Sequence, residues 1–302
     1  MASSSRLPSA VRTSLTDRLK SFARAHDQPY PAVLRRFVMA RFLARIFDAD
    51  PDGWILKGGV SMMVRLPEAR HSKDIDIVAA TAIPEAVAEL RRIGRDHDID
   101  HFVFEVGPAT ELSNGKGAEV RVGALLGTTE LDAFSIDLVA GTRELVGPVE
   151  RHPLPRLVDS EDFPREATAK LYPLADQIAD KICAMYERHG SAGTESGRYR
   201  DLIDLLLISD FLAIDLVQTT AALEREREFR GIPSLPRELE SPGPTWPKNW
   251  PKNARRSPLA EAHHDLDTAL AAAGRCYNHI LGALPSADVT STWNPERETW
   301  AN

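Results

Sequence analysis

The sequence predicts an α/β fold whose second half is helical. Between residues 54 and 139, several short segments alternate apolar and polar residues, as strands with one buried face do. Segments with helical apolar spacing lie among them, and after about residue 155 only the helical spacing remains. A chain of 302 residues is long enough for two domains, which we place at residues 1–155 and 156–302.

The predicted elements follow in chain order. Helical spacing predicts two N-terminal helices at 11–25 and 31–48, and a third at 84–96. Strands are predicted at 54–56, 74–78, 101–106, 120–125 and 134–139. In the second half, helices are predicted at 174–188, 200–212, 216–229 and 258–284. No internal repeat is predicted.

One predicted strand carries two aspartates. Asp74 and Asp76 alternate with Ile75 and Ile77, so both carboxylates project from one face while the isoleucines enter a core. Mg²⁺ prefers oxygen ligands and commonly takes one or two carboxylates together with substrate phosphates. The pair therefore suggests a metal site, and the alternative is an acidic solvent face on an edge strand.

A glycine-rich turn precedes this strand. Gly58 and Gly59 follow an apolar strand and open a predicted amphipathic helix that contains Ser61. Glycines let the backbone approach a phosphate closely, and the free amides of a helix start favour an anion. The alternative is that the two glycines only form a turn. The order of turn, helix and acidic strand, however, predicts a phosphate cradle beside the carboxylates.

A third aspartate lies on a later strand. In the segment 131–141, Phe134, Ile136 and Leu138 share one face, and Asp137 lies mid-strand on the other. Carboxylates on neighbouring strands suit phosphoryl transfer with Mg²⁺, and two ions are possible, one activating the attacking oxygen and one stabilising the leaving group. The alternative is an exposed strand residue without a chemical role.

These motifs resemble the nucleotidyltransferase fold shared with DNA polymerase beta, and more narrowly the AbiEii/MenT-type nucleotidyltransferase toxins. The resemblance covers nearly the whole chain and rests on Lys57-Gly58-Gly59, Arg70-x-Ser72-x-Asp74-Ile75-Asp76, Lys181 in ADKICAMYER, and RYRDLIDLL from Arg198 to Leu206. Arg200 departs from the family pattern, which usually has lysine there. Because a guanidinium and an ammonium differ in geometry, no catalytic role is assigned to Arg200.

The resemblance implies a mixed sheet with flanking helices and a helical C-terminal lobe. It also implies a toxin that transfers a nucleoside monophosphate from a nucleoside triphosphate (NTP) to the 3′ end of tRNA, which blocks aminoacylation and translation. A separately encoded antitoxin is the implied partner. The implied roles are metal binding and catalysis for Asp74, Asp76 and Asp137, catalysis for Lys181 and Asp201, and nucleotide or phosphate binding for Lys57, Gly58, Gly59, Ser61 and Ser72.

Helical spacing gives the downstream motif residues an interpretation of their own. Lys181 lies beside the apolar stripe of its helix, so it is either a cation that points into a cleft or a surface lysine with a nearby acid. Asp201 and Asp204 are three residues apart and share one helix face. Asp201 can orient Lys181 or Arg198, bind a nucleotide hydroxyl, or only solvate the helix.

The formal net charge of −7 excludes a generally basic nucleic-acid binder, so an RNA substrate requires a local positive patch. The helix at 31–48 sets Arg41 and Arg45 apart from its apolar stripe, which predicts a cationic exposed side. The proline-rich segment from Trp246 to Arg256 interleaves tryptophans with cations. Its tryptophans either cover the lobe, which we favour, or stack on single-stranded bases.

The cysteine content and the N-terminus indicate the compartment. The chain has two cysteines, Cys183 and Cys276, and no paired Cys or His spacing, which argues against a disulfide scaffold or structural zinc and fits a reducing cytosol. The first residues lack the apolar core of a signal peptide, and the most apolar helix is interrupted by aspartates. A cytoplasmic location without a membrane span is therefore expected.

Three functional hypotheses follow. The first is transfer of a nucleotide to tRNA, and the second is the same reaction on a small molecule or a protein side chain. The third is an inactive nucleotidyltransferase fold that binds nucleotide or a partner protein. The presence of all three aspartates favours an enzyme.

Overall fold

The computed structural model describes residues 6–66, 69, 71–95, 100–112, 115, 117–141, 144–163, 167–190, 193–287 and 289–301. Arg70 of the predicted motif lies outside these residues. The chain divides into two compact units. The first comprises the described residues of 1–67, 71–143 and 150–171, and the second those of 68–70, 144–149 and 172–302.

The first unit alternates helices and strands, which confirms the predicted α/β class. Its elements are α1 (Pro8–Ala25), α2 (Tyr30–Ala49), β1 (Trp54–Lys57), α3 (Gly58–Arg65), β2 (Asp74–Ala79), α4 (Ile83–Gly94), β3 (Phe102–Glu111), β4 (Ala118–Leu126), β5 (Thr129–Ala140), β6 (Glu150–Pro153) and β7 (Thr168–Leu171). The last two strands are not predicted from the sequence. Because they join the first sheet, the first unit extends to residue 171 rather than 155.

The strands form one mixed sheet in the order β3-β4-β5-β2-β1-β7-β6. β2 runs parallel to β5 and β1 runs parallel to β7, whereas the other neighbours are antiparallel. β2 and β5 therefore lie side by side near the centre of the sheet. Their odd and even residues alternate between a buried face and a half-exposed face, as the period-two pattern predicts.

The buried face of the sheet packs on α2 through aromatic residues. Phe42 of α2 contacts Phe104 of β3 with ring centroids 4.9 Å apart and Phe134 of β5 at 5.8 Å. All three side chains are buried, as are Ile75 and Ile77 of β2. Burial of these large apolar groups is the main force that holds the sheet in place beneath its polar face.

The prediction of a cationic exposed side on α2 is wrong. Arg41 and Arg45 are buried and share the carboxylate of Asp100, with Arg41 Nε 2.8 Å and Arg45 Nη2 2.6 Å from its oxygens. Arg45 also donates to the carbonyl oxygen of Phe102 at 3.0 Å. Helical spacing gave the correct face for the apolar residues, but it could not show that an acid 55 residues from Arg45 and 59 from Arg41 would hold both arginines inside.

The second unit is mainly helical. Its elements are α5 (Leu174–Tyr186), α6 (Tyr199–Phe211), β8 (Ile214–Asp215), α7 (Leu216–Phe229), α8 (Trp246–Ala254), a 3-10 helix (Glu261–His264), α9 (Leu266–Ala283), β9 (Thr292–Asn294) and β10 (Thr299–Ala301). The short strands form a sheet in the order β10-β9-β8. Within the described ranges of the chain, no helix has the length and apolar character needed to cross a bilayer.

The proline-rich segment forms α8, which the sequence did not predict. Trp246 and Trp250 are fully buried, and their indole groups donate to the carbonyl oxygens of Ser196 at 2.8 Å and His263 at 3.0 Å. Neither indole can stack on a nucleic-acid base, so that interpretation is wrong. The favoured interpretation was a proline-stiffened connection whose tryptophans cover the lobe. The burial of the tryptophans is confirmed, but the segment that carries them is a helix.

Candidate active site

The register of the central strands brings the predicted aspartates together. Asp76 of β2 lies directly beside Asp137 of β5 in the parallel ladder and directly opposite Lys57 of β1 in the antiparallel one. Asp74 is two residues from Asp76 and lies beside Ser135. Since neighbouring strands are about 4.8 Å apart, the three aspartates and Lys57 occupy one small area of the half-exposed face.

The next strand adds a carboxylate that the sequence analysis missed. Glu119 of β4 pairs with Asp137 in the antiparallel ladder, and its Oε1 accepts a hydrogen bond from the Ser135 hydroxyl at 2.6 Å. Its strand alternates like any half-buried strand, so no local signal marks it. Only the strand pairing shows that it extends the row of charged residues.

This arrangement is unfavourable for folding. Like charges directly side by side on neighbouring strands destabilise a sheet, and Lys57 lies opposite Asp76 as a positive charge. Asp74, Asp76 and Asp137 are all only half-buried, so solvent or a bound cation can reach them. Local arrangements that cost stability cluster at functional sites, which makes this row the candidate active site.

Gly58 begins α3 against the carboxylate of Asp76. Its backbone has φ +66°, in the left-handed region, and a Cβ built at this position would lie 1.8 Å from Asp76 Oδ2. Any other residue would therefore be strained and would displace the carboxylate. The predicted helix start at the Gly-Gly turn is confirmed, and the backbone of Gly58 lies next to Asp76.

The two serines of the motif have different surroundings. The Ser72 hydroxyl donates to Asp74 Oδ1 at 2.9 Å, which fixes the orientation of that carboxylate. Ser61 is fully buried, and its hydroxyl donates to the carbonyl oxygen of Gly58 at 2.9 Å. Gly59 is also buried within α3. Ser61 thus tightens the first turn of α3 around the glycine.

His71 lies in the loop that leads into β2. Partial desolvation lowers the pKa of His71, and the charge of Arg36 lowers it further. Burial also lowers the pKa of Arg36 itself. Both effects disfavour a positive charge on His71.

Among the residues that the structure describes, no group of three or more His, Cys, Asp and Glu side chains is arranged to hold a metal ion. Mg²⁺ does not need such a cage, because it commonly binds through one or two carboxylates, several waters and the substrate phosphates. The oxygen donors of Asp74 and Asp76 fit that coordination, and so does the closeness of Gly58 to Asp76.

The second unit holds Lys181 and Asp201 in a buried charge cluster. Lys181 Nζ lies 3.1 Å from Asp201 Oδ1 and 2.6 Å from Asp204 Oδ2, and all three residues are buried. Arg198, which is largely exposed, approaches Asp201 Oδ2 at 3.6 Å. Lys181 is therefore not a surface lysine, and the two aspartates do more than solvate α6. Asp204, to which the sequence analysis gave no role, is the closer partner.

A mixed sheet whose central strands present aspartates beside a glycine turn defines the nucleotidyltransferase class. The profile described as "Nucleotidyl transferase AbiEii toxin, Type IV TA system" matches residues 41–272. The chain therefore belongs to the AbiEii family of nucleotidyltransferase toxins of type IV toxin–antitoxin systems. The family resemblance inferred from the sequence is confirmed, and membership implies an NTP substrate and an antitoxin partner.

Solved structures provide a second comparison. MenT4, a nucleotidyltransferase toxin from Mycobacterium tuberculosis, is 22% identical and superposes with a TM-score of 0.50 over 68% of each chain, which supports the fold. JHP933 from Helicobacter pylori is 13% identical, with a TM-score of 0.43 over 84% of this chain and 93% of that one. A further H. pylori protein, described as a putative nucleotidyltransferase, has 13% identity and a TM-score of 0.42, covering 84% and 96% of the two chains. No curated protein sequence matches significantly.

Proposed function

We propose that this toxin transfers a nucleoside monophosphate from an NTP to the 3′ end of tRNA, in the cytoplasm, and so blocks aminoacylation and translation. The observation that carries the reaction is the register of Asp76 beside Asp137, with Gly58 packed against Asp76. The tRNA acceptor rests on the family resemblance and is the part that the experiment below addresses.

The reaction requires an attacking oxygen and a leaving group. The 3′-hydroxyl oxygen forms a bond to the α-phosphorus of the NTP, the bond from that phosphorus to the bridging oxygen breaks, and pyrophosphate leaves. Asp137 accepts the hydroxyl proton or orients the hydroxyl, since a carboxylate within hydrogen-bond reach can act as a general base. The backbone of Gly58 and Gly59, the amide of Ser61 and the charge of Lys57 hold the triphosphate.

Mg²⁺ is the cofactor that the donor set fits. Asp74 and Asp76 would hold it, with Asp137 as a further ligand, and Ser72 fixes the orientation of the Asp74 carboxylate. Bound there, the ion supplies positive charge that stabilises the developing charge of the transferred phosphoryl group. One or two ions suit this arrangement.

Lys181 and Asp201 form part of the proposed catalytic set. Asp201 and Asp204 hold the Lys181 ammonium in a fixed position within the second unit. A fixed cation stabilises developing negative charge better than a mobile one, because no reorganisation is needed during the reaction. Their assignment to the catalytic set rests on the family motif.

Labelled transfer assays test the proposal. Purified protein is incubated with Mg²⁺, total tRNA and each α-labelled NTP separately, and label on RNA is measured. Asp76→Ala should lower transfer at least about 100-fold, because it removes a metal ligand. Asp132→Ala is the matched control, since Asp132 lies on the same strand as Asp137 but pairs with Arg35 at 2.6 Å.

The outcomes separate the hypotheses. Label on tRNA that depends on Asp76 but not on Asp132 supports the proposal. Label found only on a small molecule or a protein would mean that the acceptor is not tRNA, while the assignment of the active site would stand. Undiminished transfer by Asp76→Ala would refute the assignment of the metal ligand, and no transfer to any acceptor would favour an inactive fold.

A further inference from the structure

The outer side of α8 carries four cations. Lys248 and Lys252 lie within the helix, and Arg255 and Arg256 follow in a turn that continues it, since the Arg255 amide donates to the Pro251 carbonyl oxygen at 3.2 Å. All four side chains are exposed. Within the described part of the chain, none of them forms an ion pair or a side-chain hydrogen bond. We refer to these four residues as the α8 cation row.

A tandem tetrapeptide repeat creates this row. The sequence Trp-Pro-Lys-Asn occurs at 246–249 and again at 250–253, a repeat that the sequence analysis missed. Residues four apart are neighbours on a helix surface, so each residue type of the repeat occupies its own side of α8. The tryptophans are inside and the lysines outside, and Arg256 continues the spacing of the lysines.

The helix is fixed to the segment that carries the family motif. The Trp246 indole donates to the Ser196 carbonyl oxygen at 2.8 Å, and the Asn249 amide donates to the Tyr199 hydroxyl at 3.1 Å. Tyr199 is the first residue of α6, whose Asp201 holds Lys181. The cation row is thus presented on a rigid element beside the start of α6.

Helix stability does not explain the row. Cations favour a helix C-terminus, which suits Lys252, Arg255 and Arg256, but Lys248 lies in the first turn, where a cation is unfavourable. Like charges four residues apart also repel each other. Glu195 accepts from the amide of Thr245 at the helix N-terminus at 3.0 Å and not from the row.

The row fits a chain of phosphates. Its cations are spaced by about one helical turn, roughly 6 Å of axial rise, over some 12 Å. The net charge of −7 repels RNA at long range, so an RNA substrate needs a positive surface of this kind. Because the tryptophans are buried, bases cannot stack on them, and the exposed cations suit the phosphate backbone, where contacts position RNA without reading its sequence.

We propose that the α8 cation row binds the phosphate backbone of the RNA acceptor. The inference rests on the proposed function for its ligand class. It adds a surface, defined by Lys248, Lys252, Arg255 and Arg256, that contributes to RNA affinity and not to the chemical step.

The test replaces all four cations with glutamine in the full chain. Fluorescence anisotropy with labelled tRNA, without NTP, should show affinity lowered at least about tenfold at physiological salt. The slope of log K against log salt should fall by about one for each phosphate that the variant no longer binds. In the transfer assay, KM for tRNA should rise while KM for NTP, and kcat at saturating tRNA, change less than about twofold.

Two matched variants complete the design. The first replaces four scattered cations that are also exposed, so the net charge changes equally: Arg95, Arg188, Arg237 and Arg297 to glutamine. It should keep at least about half of the tRNA affinity, because its cations form no row. The second, Lys248→Arg with Lys252→Arg, should bind as wild type does, since phosphate contacts need the charge.

Each result has a clear meaning. Unchanged tRNA affinity in the row variant, or an equal loss in the scattered control, overturns the proposal. A row variant that keeps tRNA affinity but loses binding of the antitoxin shows a protein-docking surface and also overturns it. Wild-type protein that binds tRNA through the row yet transfers no nucleotide refutes the proposed function and leaves the row intact.

Discussion

Gly58 is constrained both by its own backbone and by the carboxylate of Asp76. The left-handed φ of +66° disfavours a side chain, and a Cβ would lie 1.8 Å from Asp76 Oδ2. The first constraint concerns stability, whereas the second concerns the position of a proposed metal ligand. The two can be separated because Gly231 has nearly the same φ, +65°, with no atom within 4 Å of a Cβ.

Gly58→Ala should lower nucleotide transfer at least about 100-fold, because Asp76 must move to admit the methyl group. Gly231→Ala has the same backbone strain, on the order of 1 kcal/mol, and should keep its activity. Transfer rates and urea unfolding of both variants provide the comparison. Equal activity in the two variants would show that the position of Asp76 is not critical.

The positions of single site residues could be predicted where the alternation of a strand shows which face they occupy. The alternation of Asp74 and Asp76 with isoleucine placed both carboxylates on the polar face, and the register confirms their common side. Glu119 could not be found in this way, because its closeness to Asp137 depends on the pairing of β4 with β5. Period-two spacing shows which face of its strand a residue occupies, but not which strand lies beside it.

At the scale of elements, α5 and α6 meet through one buried cation and two buried carboxylates. Lys181→Met should destabilise the protein by about 3–5 kcal/mol, since it leaves Asp201 and Asp204 buried without their cation. Arg198→Met is the control and should cost under about 1 kcal/mol, because Arg198 is 62% exposed. Urea unfolding followed by circular dichroism measures both, and similar losses would contradict the burial of the charge cluster.

The buried group of Asp100 with two arginines links α2 to the strand that begins at Phe102. Burial alone would raise the pKa of Asp100, but the charges of Arg45 and Arg41 outweigh it and hold the pKa below its usual value. A carboxyl group with a lowered folded pKa contributes stability above its unfolded pKa of about 4, and this is lost as pH falls further.

Asp100→Asn should therefore cost about 3–5 kcal/mol at pH 7 and should remove part of the acid sensitivity below about pH 4. Glu89→Gln is the control, because Glu89 forms an exposed pair with Arg92 at 2.6 Å. The free energy of unfolding from pH 7 to pH 3 is the quantity to measure. A stability profile of Asp100→Asn parallel to that of the wild type would refute the linkage.

Elements with a clear period or apolar character were predicted well. The predicted strands at 54–56 and 74–78 and the predicted helix at 216–229 agree with β1, β2 and α7. β6 and β7 were missed because neither contains a run of β-branched or aromatic residues, and their pairing at long range leaves no local signal. α8 was missed because Pro247 and Pro251 are typical of loops. The burial of Trp246 and Trp250 nevertheless stabilises the helix.

At the scale of the whole molecule, the proposed site predicts a ligand-dependent stability. Mg²⁺ with an accepted NTP, each far above its dissociation constant, should raise the thermal midpoint, since a ligand at 100 times Kd adds about 2.7 kcal/mol. Asp76→Ala should lose this shift and Asp132→Ala should keep it. If Mg²⁺ and NTP raised the thermal midpoint of Asp76→Ala as much as that of the wild type, the nucleotide would have to bind at another site.

The distribution of tryptophan has a practical consequence for spectroscopy. Trp54 is the single tryptophan of the first unit, whereas Trp246, Trp250, Trp293 and Trp300 belong to the second. Each of these four indoles donates to a backbone carbonyl oxygen. Intrinsic fluorescence therefore reports chiefly on the loss of structure in the second unit. In a Trp54→Phe variant, intrinsic tryptophan fluorescence would report on the second unit alone, without an attached dye.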